Sequence, residues 1–398
     1  MLLCLLPLLL TACDADYRRH DPDLPEGDAD TDADTDADTD ADSDADTEVE
    51  YELRGAWVTR WSYGSAEDVE RIMADLEAAG FNAVYFQIRG NFDALYPSGI
   101  EPWSSVLTGS LGRDPGWDPL AEAVARGHAH GLQVHAYLNT FPLWTGTTPP
   151  PETTPRHALL EHPDWLVADS EGPMALNSSY VFASPGNPAV RARVAAVAAD
   201  IASRYAVDGI HLDYIRYPGP QYSHDSTSEQ QYTGSGLSWA AWQRTQVTAT
   251  AEAVHDAVDL PVTAAVWGIY ENTWGWSGVS QGNVDYYQDS RAMLAEGALD
   301  ATLPMIYWPV TATPGERLDF ATLVLDHVAH ASGRHVYAGL SAELGFDEVA
   351  ACVAAARAAG AQGVVLFDYS TARNDGWLER FGDSLFAEPA SPPPMPWR

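Results

Sequence analysis

The sequence predicts an α/β protein built as a single (β/α)8 TIM barrel with long loops after strands 2, 3 and 4. Eight short runs with strand preference alternate with eight longer runs of helical character, and eight strand–helix units in order close such a barrel. Several helical runs end in glycine just before the next strand, as in LEAAGFNAV and HAHGLQV, which is a helix C-cap signal. A doubly wound open sheet is the alternative, but no glycine-rich phosphate loop opens any helical run.

Each predicted strand is a short run rich in apolar, β-branched and aromatic residues. The strands begin at Leu53 (LRGAWVTRW), Ala83 (AVYFQIR), Gln133 (QVHAYLN), Gly209 (GIHLDYI), Pro261 (PVTAAVWGI), Ala301 (ATLPMIYW), His335 (HVYAGLSAE) and Gly363 (GVVLFDYST). The helical patterns lie at 65–79, 118–130, 188–206, 237–258, 285–297, 320–331, 346–359 and 376–386. Connections of about 28, 48 and 21 residues follow strands 2, 3 and 4, while connections back into strands are short. The elaboration therefore lies on the face where the strands end.

Residues 1–13, MLLCLLPLLLTAC, have the pattern of a lipoprotein signal peptide. The apolar run from Leu2 to Leu10 is too short to span a membrane and suits the apolar core of a signal peptide. It ends in LTAC, which resembles a bacterial lipobox with lipidation at Cys13. We therefore expect an exported, membrane-anchored lipoprotein in the periplasm or on the outer membrane or cell surface, held by a lipid anchor at Cys13.

The charge is concentrated near the amino terminus. Of the net charge of −36, residues 14–52 carry −16, and residues 28–47 repeat an Asp-rich tetrapeptide. This pattern predicts a disordered Asp-rich linker, because the acids repel one another and offer no apolar face. Alternating Asp could also bind calcium, although the turn glycine and distal glutamate of an EF-hand loop are missing. The acidic balance argues against nucleic acid as a partner.

The barrel is predicted over 53–387, and the Pro-rich tail at 388–398 is expected to lie outside the fold. Within the barrel, the stretch DGIHLDYIRYP at 208–218 forms strand 4. Residues two apart in a strand point to the same side, so His211 and Asp213 face one way and Tyr214 the other. In this fold reacting groups lie where strands end, which places Asp213 at the mouth of the barrel.

The residues at the other strand ends suit a sugar chain. Aromatic rings stack on pyranose faces, while carboxylates, amides and guanidinium groups bond hydroxyls. Glycoside cleavage needs two carboxyl groups; the candidates are Asp213 with Glu271 or Asp368, followed by Glu343 and Glu101. For each acid the alternative is an ion pair with Arg89 or Arg216. We expect His211 to orient Asp213 by a hydrogen bond, and Tyr137 also reaches this face.

Longer motifs resemble the bacterial glycosyl-hydrolase-like family 10. They are LRGAWVTRW, FNAVYFQIRGNFDALYPSGIEPWSSVLTG, DPGWDPLAEAVARGHAHGLQVHAYLN, HPDWLV, YAVDGIHLDYIRYP and LPMIYW, in family order across most of 53–310. The resemblance implies a (β/α)8 hydrolase of bacterial envelope glycans. It places the following residues on motif positions: Arg89, Asp93, Glu101, Trp103, His135, Asn139, His211, Asp213, Tyr307 and Trp308. Tyr214 stands where the family usually has a second acid, and Glu271 where it often has a basic residue.

These patterns together predict an exported glycosidase that acts on a cell-envelope polysaccharide, with peptidoglycan glycan strands as the substrate class. Asp213 would be nucleophile or base, and Glu271 or Asp368 would protonate the leaving oxygen without a cofactor. Because Tyr214 replaces an acid, a non-catalytic glycan-binding barrel is the alternative. A metal-dependent hydrolase that uses His135, His211 and Asp213 is a third possibility, although no paired-histidine metal signature accompanies them.

Overall fold

A closed barrel of parallel strands forms the centre of the protein. The structure is a computed structural model that describes residues 50–311, 315 and 317–398. Its barrel strands are β1 (Leu53–Val58), β2 (Ala83–Arg89), β3 (Gln133–Asn139), β4 (Gly209–Asp213), β5 (Val262–Trp267), β6 (Ala301–Met305), β7 (His335–Ser341) and β8 (Gly363–Phe367). Each strand pairs with its sequence neighbours, and β8 pairs with β1. The predicted (β/α)8 barrel is confirmed.

A helix follows every barrel strand. These helices are α1 (Ala66–Ala78), α2 (Pro119–Ala129), α3 (Pro188–Arg204), α4 (Trp239–Ala257), α5 (Ser290–Ala295), α6 (Phe320–Ala329), α7 (Phe346–Ala358) and α8 (Tyr369–Asn374). All except α7 begin behind a Ser, Asp or Asn whose side chain accepts a backbone N–H of the first turn. Each cap contributes about 1 kcal/mol, and together they define where the loops end.

The alternation of side chains along β4 separates two packing layers. Ile210 and Leu212 are fully buried in the cluster between strands and helices, while His211 contacts Trp57 and Tyr137 inside the barrel. The opposed directions of these residues are as the strand period predicts. Asp213 ends the strand on the interior side and therefore lies at the carboxyl end of the barrel.

The long connections also lie at this end. Residues 140–187 between β3 and α3 hold two small antiparallel pairs, Pro142–Thr145 with Tyr180–Phe182 and Ala168–Asp169 with Gly172–Pro173. Short helices lie at Ala158–Glu161, Pro163–Trp165, Ser226–Tyr232 and Gly282–Asp285. The predicted long loops after strands 2, 3 and 4 are thus confirmed, and they surround the end of β4.

The Pro-rich tail packs against the amino end of the barrel, and the expectation that it lies outside the fold is wrong. Trp397 Nε1 donates to Asp300 Oδ1 at 2.9 Å, and Arg398 Nη2 lies 2.7 Å from Asp300 Oδ2. Met395 packs against the apolar cluster inside the barrel. Asp300, directly before β6, is fully buried, and a buried carboxylate needs such partners. The tail covers the end of the barrel opposite Asp213.

The eighth helix also differs from the sequence prediction of 376–386. Helix α8 starts directly after β8, because the Asp368 side chain accepts the N–H of Thr371. Gly376, with φ of +73°, follows this helix in the left-handed region that favours glycine. A short π-helical turn at Phe381–Leu385 occupies the second half of the predicted range.

The predicted signal peptide, Cys13 and nearly all of the Asp-rich linker lie outside the described residues. Within 50–311, 315 and 317–398, no helix combines the length and apolar character needed to cross a bilayer.

Candidate active site

Asp213 is held at the carboxyl end of β4 by two short hydrogen bonds. Tyr137 donates its hydroxyl to Asp213 Oδ2 at 2.6 Å, and the N–H of Tyr214 donates to Oδ1 at 2.6 Å. The residue is partly exposed. Among the residues that the structure describes, no arginine or histidine nitrogen lies within 4 Å of the Asp213 carboxylate, so the ion-pair alternative does not apply to it.

Tyr214 leaves the strand instead of continuing it. Its φ of +51° lies in the left-handed region, which costs a non-glycine residue about 1–3 kcal/mol. The Tyr214 ring packs edge-on against Tyr180 at 5.1 Å and lies 4.9 Å from the Arg216 guanidinium carbon. The unusual backbone conformation accompanies the N–H bond to Asp213 and places an aromatic ring beside the carboxylate.

The electrostatic balance at Asp213 favours the protonated acid. Burial raises the pKa of its carboxyl group; the hydrogen bonds from Tyr137 and Tyr214 and the charge of Arg216 lower it, and the net direction is upward. A carboxyl group with a raised pKa stays protonated at higher pH and suits proton donation.

Asp368 is the second carboxylate near this point. It follows β8, caps α8, and accepts the Thr371 N–H at 2.8 Å through Oδ1. Burial first, and then the charges of Asp213 and Asp368, raise the pKa of Tyr307 well above its ordinary value. Tyr307 stacks on Phe367 with ring centroids 5.6 Å apart. Both carboxylates therefore lie within electrostatic range of the Tyr307 phenol.

A cleft of about 380 Å³ opens beside Asp368. Trp61, with 64% of its surface exposed, is the largest apolar side chain in its wall. The full lining is Thr59, Trp61, Ser62, Arg71, Asp368, Tyr369, Ser370, Arg373 and Asn374. Asp213 is not in this wall, so the cleft forms only one side of the candidate site.

Glu271 is placed differently from Asp368. It is exposed on the loop after β5, and Asn283 Nδ2 donates to its Oε2 at 3.4 Å. The carboxylates whose charges act on Tyr307 are Asp213 and Asp368, and Glu271 is not among them. This difference favours Asp368 over Glu271 as the candidate partner of Asp213.

Arg89, Glu101 and Asn139 hold loops together beneath the mouth. Arg89 and Glu101 form a bidentate ion pair at 2.7 and 2.8 Å, and their side chains are 0% and 1% exposed. Arg89 also donates to the carbonyl oxygens of Asn139 and Thr140. Asn139 is fully buried and accepts a hydrogen bond from Gln87 at 3.0 Å. These residues have essentially no exposed surface for a substrate. Glu101 forms the ion pair with Arg89 that the sequence analysis gave as the alternative to a catalytic role.

The two strand histidines lie deeper in the barrel than Asp213. His211 Nε2 accepts from Trp57 Nε1 at 3.0 Å, and its Nδ1 lies 2.9 Å from Thr263 Oγ1. The predicted hydrogen bond from His211 to Asp213 is therefore wrong. Burial lowers the pKa of His211 well below its ordinary value and that of His135 to about 4. Both imidazoles are neutral, and neither bonds Asp213.

The metal-site alternative gains no support from this arrangement. Both His211 nitrogens already have protein partners, and His135 Nε2 lies 3.2 Å from Gln133 Oε1. Within 50–311, 315 and 317–398, no group of three or more His, Cys, Asp or Glu side chains is placed to hold a metal ion.

The remaining motif residues lie around the mouth. Asp93 is 6% exposed and accepts the N–H groups of Gly90 and Asn91. Trp103 is half-buried in the loop after β2, where its backbone forms an isolated parallel β-bridge with Ala94. Trp308 is half-buried after β6 and packs on the outer core.

Arg60 and Tyr180 are site residues that the sequence analysis missed. Arg60 Nη2 donates to the Tyr180 hydroxyl at 3.0 Å, and the Arg60 N–H donates to Gln87 Oε1 at 2.9 Å. Tyr180 in turn contacts Tyr214. Tyr180 comes from near the end of a loop of nearly fifty residues, and only the length of that loop indicated a contribution to the site.

Comparison with known proteins agrees with the motifs. A family model described as "Glycosyl hydrolase-like 10" matches residues 52–345. Glycosyl hydrolase DigH of Escherichia coli strain K12 is 30% identical over 259 residues, which cover 59% of this chain and 56% of DigH. Glycosyl hydrolase YngK of Bacillus subtilis strain 168 is 27% identical over 255 residues, 60% of this chain and 48% of YngK. The chain thus spans about half the length of these relatives.

Solved structures with the same architecture are more distant in sequence. The glycoside hydrolase domain of PgaB (BpsB) from Bordetella bronchiseptica superposes with a TM-score of 0.61 at 14% identity, covering 85% of this chain and 99% of that domain. The catalytic domain of β-amylase from Paenibacillus polymyxa gives 0.56 at 12% identity, covering 86% and 100%. At these identities the likeness shows the fold alone. Because the family model spans most of the barrel, the chain belongs to the glycosyl hydrolase-like 10 family.

Proposed function

We propose that the barrel hydrolyses a glycosidic bond of a cell-envelope polysaccharide, with peptidoglycan glycan strands as the substrate class. The observation that carries this proposal is Asp213, a partly exposed residue whose carboxyl group has a raised pKa and no cationic partner within 4 Å among the described residues. The relatives named glycosyl hydrolases support the reaction class. The resemblance to family 10 suggests the envelope glycan.

The chemistry assigns one role to each carboxyl group. Asp213 would protonate the leaving oxygen, because its raised pKa keeps it protonated where an ordinary aspartate is ionised. Asp368, which accepts the Thr371 N–H at a helix start, would act as nucleophile or as the base that activates water. These roles are the reverse of those that the sequence suggests, in which Asp213 is nucleophile or base.

Aromatic side chains near the two acids provide surfaces for pyranose rings. Trp61 is largely exposed beside Asp368, and Tyr214 and Tyr307 are half-exposed near Asp213. Sugar C–H faces pack on such rings, while hydroxyls bond carboxylates and guanidinium groups. This combination suits a chain of sugar rings bound across the mouth.

The same proposal includes attachment to the envelope through a lipid on Cys13. Its support is the apolar run that ends in LTAC, followed by the acidic repeats at 28–47. An extended spacer of this kind would hold the barrel away from a lipid surface. Incorporation of labelled fatty acid into the wild-type chain, and its loss in Cys13→Ser, is the expected result.

Release of new reducing ends tests the proposed reaction. The full chain is incubated with purified glycan strands as wild type, as Asp213→Asn, and as the matched control Asp256→Asn on the exposed end of α4. Asp213→Asn should lower the rate by about 10²–10⁴-fold, with Asp256→Asn unchanged. Equal release by Asp213→Asn and wild type would remove Asp213 from the reaction. Glycan binding without release by any variant would favour the binding barrel.

A further inference from the structure

Arg216 lies three residues beyond Asp213 and is enclosed by three aromatic rings. Its guanidinium carbon is 4.9 Å from the ring centroid of Tyr214, 5.1 Å from that of Trp267 and 4.9 Å from that of Tyr286. We call these four residues the Arg216 cage. Cation–π contacts with these rings do not use the N–H groups, which remain as donors for a ligand.

Hydrogen bonds fix the cage before any ligand binds. Trp267 donates its indole N–H to the carbonyl oxygen of Ser280 at 2.7 Å. The backbone N–H of Tyr217 donates to the carbonyl oxygen of Tyr286 at 3.0 Å. Gln288 joins the two loops by accepting the Trp267 N–H at 2.7 Å and donating to Ile215 at 3.1 Å. A pre-arranged guanidinium loses little freedom on binding.

The charge of Arg216 has no counter-ion in the described part of the chain. No carboxylate oxygen there lies within 4 Å of its guanidinium. Nη1 reaches the carbonyl oxygen of Tyr217 only at 3.5 Å, and Nε is buried without an acceptor. The buried Arg89, by contrast, is fully engaged by Glu101 and two carbonyl oxygens. A half-buried cation without an anion within 4 Å is unusual.

The uncompensated charge of Arg216 attracts an anion locally, although residues 53–398 as a whole carry a net charge of −20. A guanidinium edge matches a carboxylate through two parallel hydrogen bonds. Tyr214 connects the cage to Asp213, because its ring lies 4.9 Å from the Arg216 guanidinium carbon and its N–H donates to Asp213 Oδ1 at 2.6 Å.

We infer that the Arg216 cage binds the carboxylate of an acidic sugar residue adjacent to the bond cleaved at Asp213. This inference rests on the proposed function, since it assigns a substrate feature to the same site. It predicts selectivity for glycans that carry carboxylates over neutral glycans of the same backbone. Arg216 would then determine specificity without taking part in proton transfer.

Calorimetric titration tests the inference without requiring turnover. The full chain carrying Asp213→Asn is titrated with peptidoglycan glycan strands, and with the same strands after reduction of their carboxyl groups to alcohols. The unmodified strands should bind about tenfold more tightly or better, as expected for a charge-assisted bidentate contact. Adding Arg216→Gln should abolish this preference and leave the affinity for the reduced strands within about twofold. Arg126→Gln, on α2 away from the mouth, should preserve the preference.

Equal affinity for the two kinds of strand, or no binding of the unmodified strands, would overturn the inference. The inference would also be overturned if Arg216→Gln weakened binding of the unmodified and the reduced strands by the same factor. If Arg216→Gln does not fold, the comparison of the two strands on the chain with Arg216 decides alone. Carboxylate selectivity without any release of reducing ends by wild type would uphold the cage and reject hydrolysis. Release of reducing ends without carboxylate selectivity would uphold hydrolysis and reject the proposed role of the Arg216 cage.

Discussion

The pKa of Asp213 is set by burial, by two hydrogen bonds and by one nearby cation. Burial has the largest influence and raises its pKa, against the Tyr137 hydroxyl, the Tyr214 N–H and the Arg216 charge. None of these groups removes the proton by forming an ion pair. The net result is a raised pKa, which suits the role of proton donor that we propose for this residue.

Replacement of Asp213 by asparagine should stabilise the protein at neutral pH. A carboxyl group whose pKa is raised on folding contributes stability below its unfolded pKa of about 3.9, which is lost as pH rises through the folded value. The asparagine side chain does not ionise, so the variant does not lose this stability as the pH rises. Urea unfolding from pH 4 to 8 should show a stability advantage of Asp213→Asn that grows with pH. A constant difference would mean that burial does not raise this pKa.

Tyr137→Phe should move one limb of the pH–rate profile. The Tyr137 hydroxyl lowers the pKa of Asp213, so its removal raises that pKa further. If Asp213 is the proton donor, activity falls as it ionises, and the basic limb of kcat/KM shifts to higher pH. A shift of the acidic limb instead would make Asp213 the nucleophile or base. Tyr337→Phe, whose hydroxyl contacts His335 at the amino end, should leave both limbs in place.

The strand period predicted the directions of His211 and Asp213 but not their separate roles. Two residues in a strand are about 6.6 Å apart along its axis, which is too far for a direct hydrogen bond between short side chains pointing the same way. The His211 nitrogens instead bond Thr263 on the neighbouring β5 and Trp57 on β1, across the barrel interior. Such partners are determined by register and by barrel closure, which the sequence of one strand does not contain.

At the scale of elements, the loop after β2 is anchored to the end of β3 by one buried ion pair. Glu101 compensates Arg89, and Arg89 holds the carbonyl oxygens of Asn139 and Thr140. These contacts fix the chain directly beside the Asp213 end of β4, with which Asn139 is in register. The motif residues Arg89 and Glu101 thus shape the mouth from below.

Glu101→Gln should destabilise the protein by about 3–5 kcal/mol, because it leaves the Arg89 charge buried without a partner. Urea unfolding measures the loss. The exposed pair of Glu152 with Arg156 provides the control, and Glu152→Gln should not change stability measurably. A Glu101→Gln variant within about 1 kcal/mol of wild type would show that Arg89 is compensated in another way.

The helical elements were predictable to the extent that caps and apolar periods agreed. Ser65 and Asn187 precede helices near the expected positions. The last helix was misplaced because Asp368 was interpreted only as a candidate acid, although its side chain also caps α8. One aspartate in the sequence does not indicate whether it is a candidate acid, a helix cap or both. In the structure the capping bond of Asp368 determines where α8 begins.

At the scale of the whole molecule, the two ends of the barrel differ in function. The amino end is covered by the C-terminal tail, with Trp397 and Arg398 on the buried Asp300. The carboxyl end carries the long loops and the candidate acids. The sequence predicted the open end from loop lengths. It contained no sign of the covered end, because a Pro-rich composition is typical of segments outside a fold.

Deletion of residues 396–398 should destabilise the barrel by about 2–4 kcal/mol, since Asp300 would lose its contacts with Trp397 and Arg398. The melting temperature should fall measurably. Pro394→Ala, at an exposed position of the same tail, is the control and should melt like wild type. An unchanged melting temperature after the deletion would indicate that the tail contributes nothing to stability.

The placement of Asp213 and Asp368 around one barrel mouth is the part of the site that only the fold could supply. The two acids end strands β4 and β8, which lie across the barrel, and both carboxylates raise the pKa of Tyr307. Sequence patterns identified each acid as a candidate but ranked Glu271 equally with Asp368. Glu271 is not among the charges that act on Tyr307, and no local pattern encodes that difference.

The most direct test of the two-carboxyl site compares reducing-end release by Asp213→Asn, Asp368→Asn and the double variant. Residues that act together on one bond are strongly non-additive. Each single variant should therefore lose nearly as much activity as the double variant, about 10²-fold or more. Near-wild-type release by Asp368→Asn, or losses that multiply in the double variant, would contradict a shared site.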